Sequence, residues 1–199
     1  MKSIIKRVFI GFLLLAVSNS LYSQVHAIPL VGMNLSEFAF NSDSFDNRVE
    51  VGFQAGVLGR FGKNAFLQTG VLYSQMSNSV SYTDSLGSIP SEQLKVDGIL
   101  IPIQLGFSIF SADIMRIRLL AGVQLSIPTN LSENSFGLTK SDLKGSNIGA
   151  AIGFGFDIFR FVLDANFSFG INDMLTTENF NAHLNLYTLS IGYLIGNSY

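Results

Sequence analysis

The stretch NIGAAIGFGFDIFRFVLDANFSFGI, residues 147–171, decides the fold. Every second residue gives Ile148, Ala150, Ile152, Phe154, Phe156 and Ile158. After Phe159-Arg160 the series resumes as Phe161, Leu163, Ala165, Phe167, Phe169 and Ile171. Between them stand Gly149, Ala151, Gly153, Gly155 and Asp157, then Val162, Asp164, Asn166, Ser168 and Gly170. A period of two is the signature of a strand, whose successive side chains leave on opposite faces. The stretch therefore predicts two strands with one apolar face and one face of glycines, small polar groups and carboxylates.

The same alternation recurs along the chain, with strands expected near 26–36, 48–60, 65–77, 95–110, 115–127, 147–158, 161–171 and 185–197. Each has an uncharged apolar face over its centre, such as Ile99, Ile101, Ile103, Leu105, Phe107 and Ile109. The opposite faces carry Arg48, Glu50, Gln54 and Arg60, then Gln68, Gln104, Arg116, Arg118 and Gln124, with glycines and serines between. Connections alternate: short at 61–64, 111–114 and 159–160, long and polar at 37–47, 78–94, 128–146 and 172–184. An even number of strands with short turns at one end and long loops at the other is the layout of an outer-membrane barrel.

Alternation alone fits a soluble lipocalin-like barrel or β-sandwich as well as a membrane barrel, so the direction of the apolar face must be argued. The polar face is too thinly charged for a soluble exterior, and its glycines suit a narrow lumen. No strand places Arg or Lys at the middle of its apolar face, where lipid would penalise it by about 2–4 kcal/mol. The expected fold is all-β: an eight-stranded antiparallel up-and-down transmembrane β-barrel following an N-terminal signal peptide.

The leader is read over residues 1–23. Lys2, Lys6 and Arg7 form its positive region, Val8 to Val17 its apolar run, and cleavage is expected between Ser23 and Gln24. A ten-residue apolar run is too short for a membrane helix. Residues 24–199 form the barrel domain. Without the leader, 9 basic residues face 14 acidic ones, and no basic run remains, which argues against a nucleic-acid partner. The absence of cysteine excludes disulfides, thiolate metal sites and a lipid-anchoring cysteine.

Gly32-Met33-Asn34-Leu35-Ser36, Leu67-Gln68-Thr69-Gly70-Val71-Leu72-Tyr73-Ser74 and Ile101-Pro102-Ile103 resemble the small PorT-like outer-membrane β-barrel domains of Bacteroidetes. The end of the chain, with Leu189, Ile191, Tyr193, Ile195 and terminal Tyr199, resembles the signal by which the barrel-assembly machinery receives such strands. The resemblance implies a bacterial outer-membrane location. One group of the family is tied to protein secretion, and no catalytic residue carries over from it.

Five interior charges are expected to gather at the short-turn end of the lumen: Arg60, Arg116, Arg118, Asp157 and Asp164. Bare charges there are costly, so an internal salt-bridge plug is expected, with bridges across the neighbouring strands 115–127, 147–158 and 161–171, and with a selective constriction as the functional counterpart. Arg48 and Glu50 are read as a local pair at the outer rim, and Tyr187, Tyr193 and Tyr199 as girdle aromatics and assembly signal.

Catalysis has little to stand on. His183, Asp173, Glu178 and Ser190 are close in sequence but hold no fixed nucleophile–base geometry. Asp43 and Asp46 fall short of a calcium ligand set. No cofactor is expected. Phe38, Phe40, Phe45, Phe136 and Phe180, in the long loops, suit either the lipid interface or a protein partner. The leading expectation is a non-enzymatic, plugged barrel in outer-membrane lipid, engaging a secretion- or envelope-associated partner. The alternatives are a small-solute channel and a rim-located lipid-modifying enzyme.

Overall fold

The computed structural model describes residues 25–40, 45–82, 92–132, 145–171 and 182–196, with backbone alone at 38–40, 45–49, 78–82, 92–94 and 182–183. Among the described residues nine strand segments occur: β1 (Val25–Phe40), β2 (Phe45–Val49), β3 (Val51–Gly62), β4 (Ala65–Tyr82), β5 (Glu92–Ala112), β6 (Met115–Leu131), β7 (Asn147–Ile158), β8 (Phe161–Gly170) and β9 (Ala182–Tyr193). Consecutive strands pair antiparallel, and β1 closes the ring by pairing with both β3 and β9. The result is a closed eight-stranded barrel, because β2 and β3 are two parts of one crossing.

The break between them has a cause in the ladder. Val49 pairs with Asn78 and Phe53 with Gln75, so four steps on one strand meet three on β4. One extra residue near Glu50 forms a bulge, and the sequence alternation passes over it unmarked. A second irregularity falls at Pro102, which has no N–H to give. The β4–β5 ladder skips from Thr69↔Ile103 to Leu72↔Leu100 there.

Register fixes the bore. Following paired residues from Ala27 round the wall gives Gly59, Thr69, Ile103, Val123, Ala150, Phe169 and Asn185, and returns to β1 at Glu37. The stagger is thus 37 − 27 = 10 residues over eight strands. At about 3.3 Å per residue and about 4.8 Å between strands, this tilts the strands by about 40°. Such a barrel is narrow enough for side chains to fill.

The apolar faces point outward: Ile103, Leu105, Phe107, Leu119, Ile152 and Ile191 are all exposed, and the polar residues between them are buried. Phe161 stacks edge-on to Tyr193 at 5.7 Å and Phe167 lies 4.4 Å from Tyr187, both pairs on the outer wall. The Phe159-Arg160 turn puts Phe159 at φ 52°, a left-handed conformation usually left to glycine, and its N–H bonds the Ile114 carbonyl at 2.9 Å.

Several strands exceed their expected lengths at the long-loop end. β4 runs to Tyr82 and β5 begins at Glu92, with Val80 paired to Glu92. At the 40° tilt, the 21 residues of β5 rise about 50 Å, twice the roughly 25 Å apolar band of such barrels. Phe38 and Phe40 accordingly belong to β1 and Phe45 to β2, rather than to loops. Phe136, Phe180, Asp43 and Tyr199 lie outside the described residues, as do residues 1–24.

The lumen is less polar than the sequence pattern suggests. Leu58, Leu72, Leu100, Leu186, Met76 and Val96 point inward with Ile28 and Leu30, forming an apolar cluster along the β1, β3, β4, β5 and β9 side. These residues share faces with glutamines and glycines, so face-by-face reading assigned them a polar wall.

Candidate functional site

The buried charges occupy the short-turn end of the lumen. Arg60 closes β3, Arg118 follows the β5–β6 turn, and Asp157 and Asp164 flank the β7–β8 turn. Arg60 Nη1 donates to Asp157 Oδ2 at 2.8 Å. Arg118 Nη2 lies 2.6 Å from Asp157 Oδ1 and 2.8 Å from Asp164 Oδ1. Gln68 Nε2 donates to Asp164 Oδ2 at 3.3 Å, and Gln68 Oε1 accepts from Arg60 Nε at 3.2 Å. The contacts close a ring through Arg60, Asp157, Arg118, Asp164 and Gln68, contributed by five different strands.

The ring spans the bore. Of eight wall positions in order around the barrel, β3 and β7 are four apart, so Arg60 and Asp157 meet from opposite sides. Two positive and two negative groups leave the ring without net charge. All four are at most 2 % exposed, the regime in which charges need partners to be tolerated. A further rung spans the lumen from β5 to β8, where Gln104 Nε2 donates to Asn166 Oδ1 at 3.0 Å.

Phe66 floors the ring, its centroid 4.9 Å from the Arg60 guanidinium carbon and 6.0 Å from that of Arg118. Two glycines make room for this stack. A methyl group at Gly106 would fall on the Phe66 ring, and one at Gly155 would come within 2.6 Å of the Arg118 guanidinium carbon. Gly106→Leu is therefore expected to lower unfolding free energy by about 1–3 kcal/mol, the usual cost of overpacking, as measured by urea titration of the refolded barrel. In the ladders Gly106 is opposite the inward Phe66, and Gly155 is opposite Arg118 and Asp164.

Arg116 faces Asp157 across the β6–β7 ladder. It is buried, and its Nη1 donates to the Lys63 carbonyl at 3.2 Å, across the floor at the β3–β4 turn. It lies two residues closer to the turn than Arg118, within reach of that carbonyl. His26, also buried, is level with Arg60 in the β1–β3 ladder. Glu50 is half-buried at the bulge, while the side chain of Arg48 lies outside the described residues. Tyr187 and Tyr193 face outward on β9.

Ser190 points into the lumen, its hydroxyl donating to the Asp164 carbonyl at 3.4 Å, and so is not on the lipid-facing rim. The side chains of His183, Asp173, Glu178 and Asp46 lie outside the described residues. Among the described residues, no group of three or more His, Asp or Glu forms a metal-binding cluster.

A closed antiparallel barrel with an apolar exterior and a paired, polar interior defines an integral outer-membrane β-barrel protein. The chain belongs to the outer membrane protein beta-barrel domain family, whose model matches residues 18–176. The solved outer membrane protein OprG from Pseudomonas aeruginosa shares the fold at a TM-score of 0.56 and 9 % identity, over 89 % of this chain and 97 % of that one. Ail, the attachment invasion locus protein of Yersinia pestis, is 17 % identical over 87 % of this chain and 99 % of its own, with a TM-score of 0.44. No curated protein matches the chain. Membership of this family places the protein in the bacterial outer membrane.

Proposed function

We propose that this is a non-enzymatic outer-membrane barrel of the PorT-like group with a sealed lumen, acting through its long-loop end on a secretion- or envelope-associated partner. The observation that carries the reading is the Arg60–Asp157 contact between opposite walls. The Gln104–Asn166 rung and the apolar cluster support the same reading, a bore filled by side chains. Strands β4 and β5 support the second half, since they continue as a paired hairpin beyond the apolar band and give a partner a stiff wall. Residues 1–23 serve as the cleaved export signal, and β9 is delivered to the assembly machinery.

Single-channel recording of the refolded barrel in a planar bilayer tests the seal. An unboiled gel lane first establishes that the barrel has folded. The expected trace is silent; discrete, lasting conductance steps from a folded, inserted barrel would replace the plug with a channel.

A further inference from the structure

Six apolar residues succeed one another on the outer face of β5, from Ile109 through Phe107, Leu105, Ile103 and Ile101 to Ile99. Ten residues at the 40° tilt rise about 25 Å, the height of the apolar band. The next outward position is Asp97. A carboxylate therefore stands on the lipid side of the wall, at the level where outer-leaflet headgroups begin.

Its surroundings hold it there. Gln75 Nε2 donates to Asp97 Oδ1 at 3.0 Å, and the Tyr73 hydroxyl is near enough to feel the same carboxylate. Both partners come from the outer face of β4, where Gln75 is directly opposite Asp97. On the other side, the β5–β6 register slips by one residue between Asp97 and Gly98, and the Thr129 hydroxyl donates to the Asp97 carbonyl at 3.1 Å. Bulges re-aim side chains at such points. Two residues further on the same face is exposed Lys95, whose N–H donates to Ser132 Oγ and whose carbonyl accepts from the Ser132 N–H, each at 3.0 Å.

We propose that Tyr73, Gln75, Lys95 and Asp97 form an outer-wall binding site for the phosphorylated sugar headgroup of an outer-leaflet glycolipid. Lys95 pairs with the phosphate, while Asp97 and Gln75 bind sugar hydroxyls. The acyl chains run down the wall over Ile99 and Ile101. The carboxylate sets the ligand class. Beside a plain phosphodiester it would be repulsive, whereas sugar hydroxyls donate to it. The site depends on the outward face meeting lipid and not on the lumen being sealed.

Native mass spectrometry of the refolded barrel in detergent tests this, with diphosphoryl lipid A and phosphatidylglycerol as probes. Lys95→Ala and Asp97→Asn are each expected to reduce retained lipid A about tenfold, the worth of a charge-assisted hydrogen bond. Phosphatidylglycerol retention stays at its lower wild-type level. Wild-type retention of lipid A by both variants would overturn the site. So would equal losses of the two lipids, which would indicate unspecific adhesion. Gel mobility confirms that each variant is folded, independently of the lipid readout.

Discussion

Asp157→Ala is expected to destabilise the barrel by about 3–5 kcal/mol, the cost of leaving buried charge without its counter-ion. The carboxylate serves two guanidinium groups, with Arg60 at 2.8 Å and Arg118 at 2.6 Å. Its removal leaves Arg118 with Asp164, but Arg60 loses its ring carboxylate and keeps the neutral Gln68. Replacing Arg60 and Asp157 together by methionine and leucine is expected to cost far less, within about 1 kcal/mol of wild type, because no unpaired ion remains. Urea unfolding of the three proteins in the same lipid vesicles measures the difference. A loss below about 1 kcal/mol for Asp157→Ala would mean that water reaches the guanidinium groups, because solvated ion pairs contribute little. A wet ring would also undo the sealed-lumen reading.

What the sequence made legible follows from where its period has physical force. Within the bilayer each face of a strand meets one solvent, so residues 147–171 announced β7, β8 and the turn between them. Beyond the apolar band both faces meet water, alternation loses its cause, and the continuation of β4 through residues 78–82 and the start of β5 at Glu92 read as loop. The charges were legible as neighbours at one end of the lumen, because distance from a turn can be counted. So was the pairing of Arg118 with Asp157 and Asp164 on neighbouring strands, but the contact across the bore was not. Arg60 and Asp157 are 97 residues apart and meet only once closure sets β3 opposite β7. The inward leucines escaped for another reason: a lumen needs paired polar groups, but it does not need only polar groups.

Ile103→Arg is the second large expected effect, about 2–4 kcal/mol of destabilisation in a bilayer. Ile103 is 47 % exposed near the middle of the outward run of β5. Its exposure makes the substitution diagnostic, because the answer depends on the solvent that the residue meets. In water, replacing an exposed isoleucine by arginine changes stability by no more than about 0.5 kcal/mol. In hydrocarbon the charge must snorkel or drag water inward, and the penalty depends on depth. Ile99→Arg, at the end of the same run, is accordingly expected to cost at most about 1 kcal/mol. Urea unfolding in vesicles should give a steep difference between two substitutions four residues apart on one face. Equal, small effects at both positions would mean that this face meets water. The ring inside would then lie at the centre of a soluble barrel, and the outer-wall site at Asp97 would have no lipid to bind.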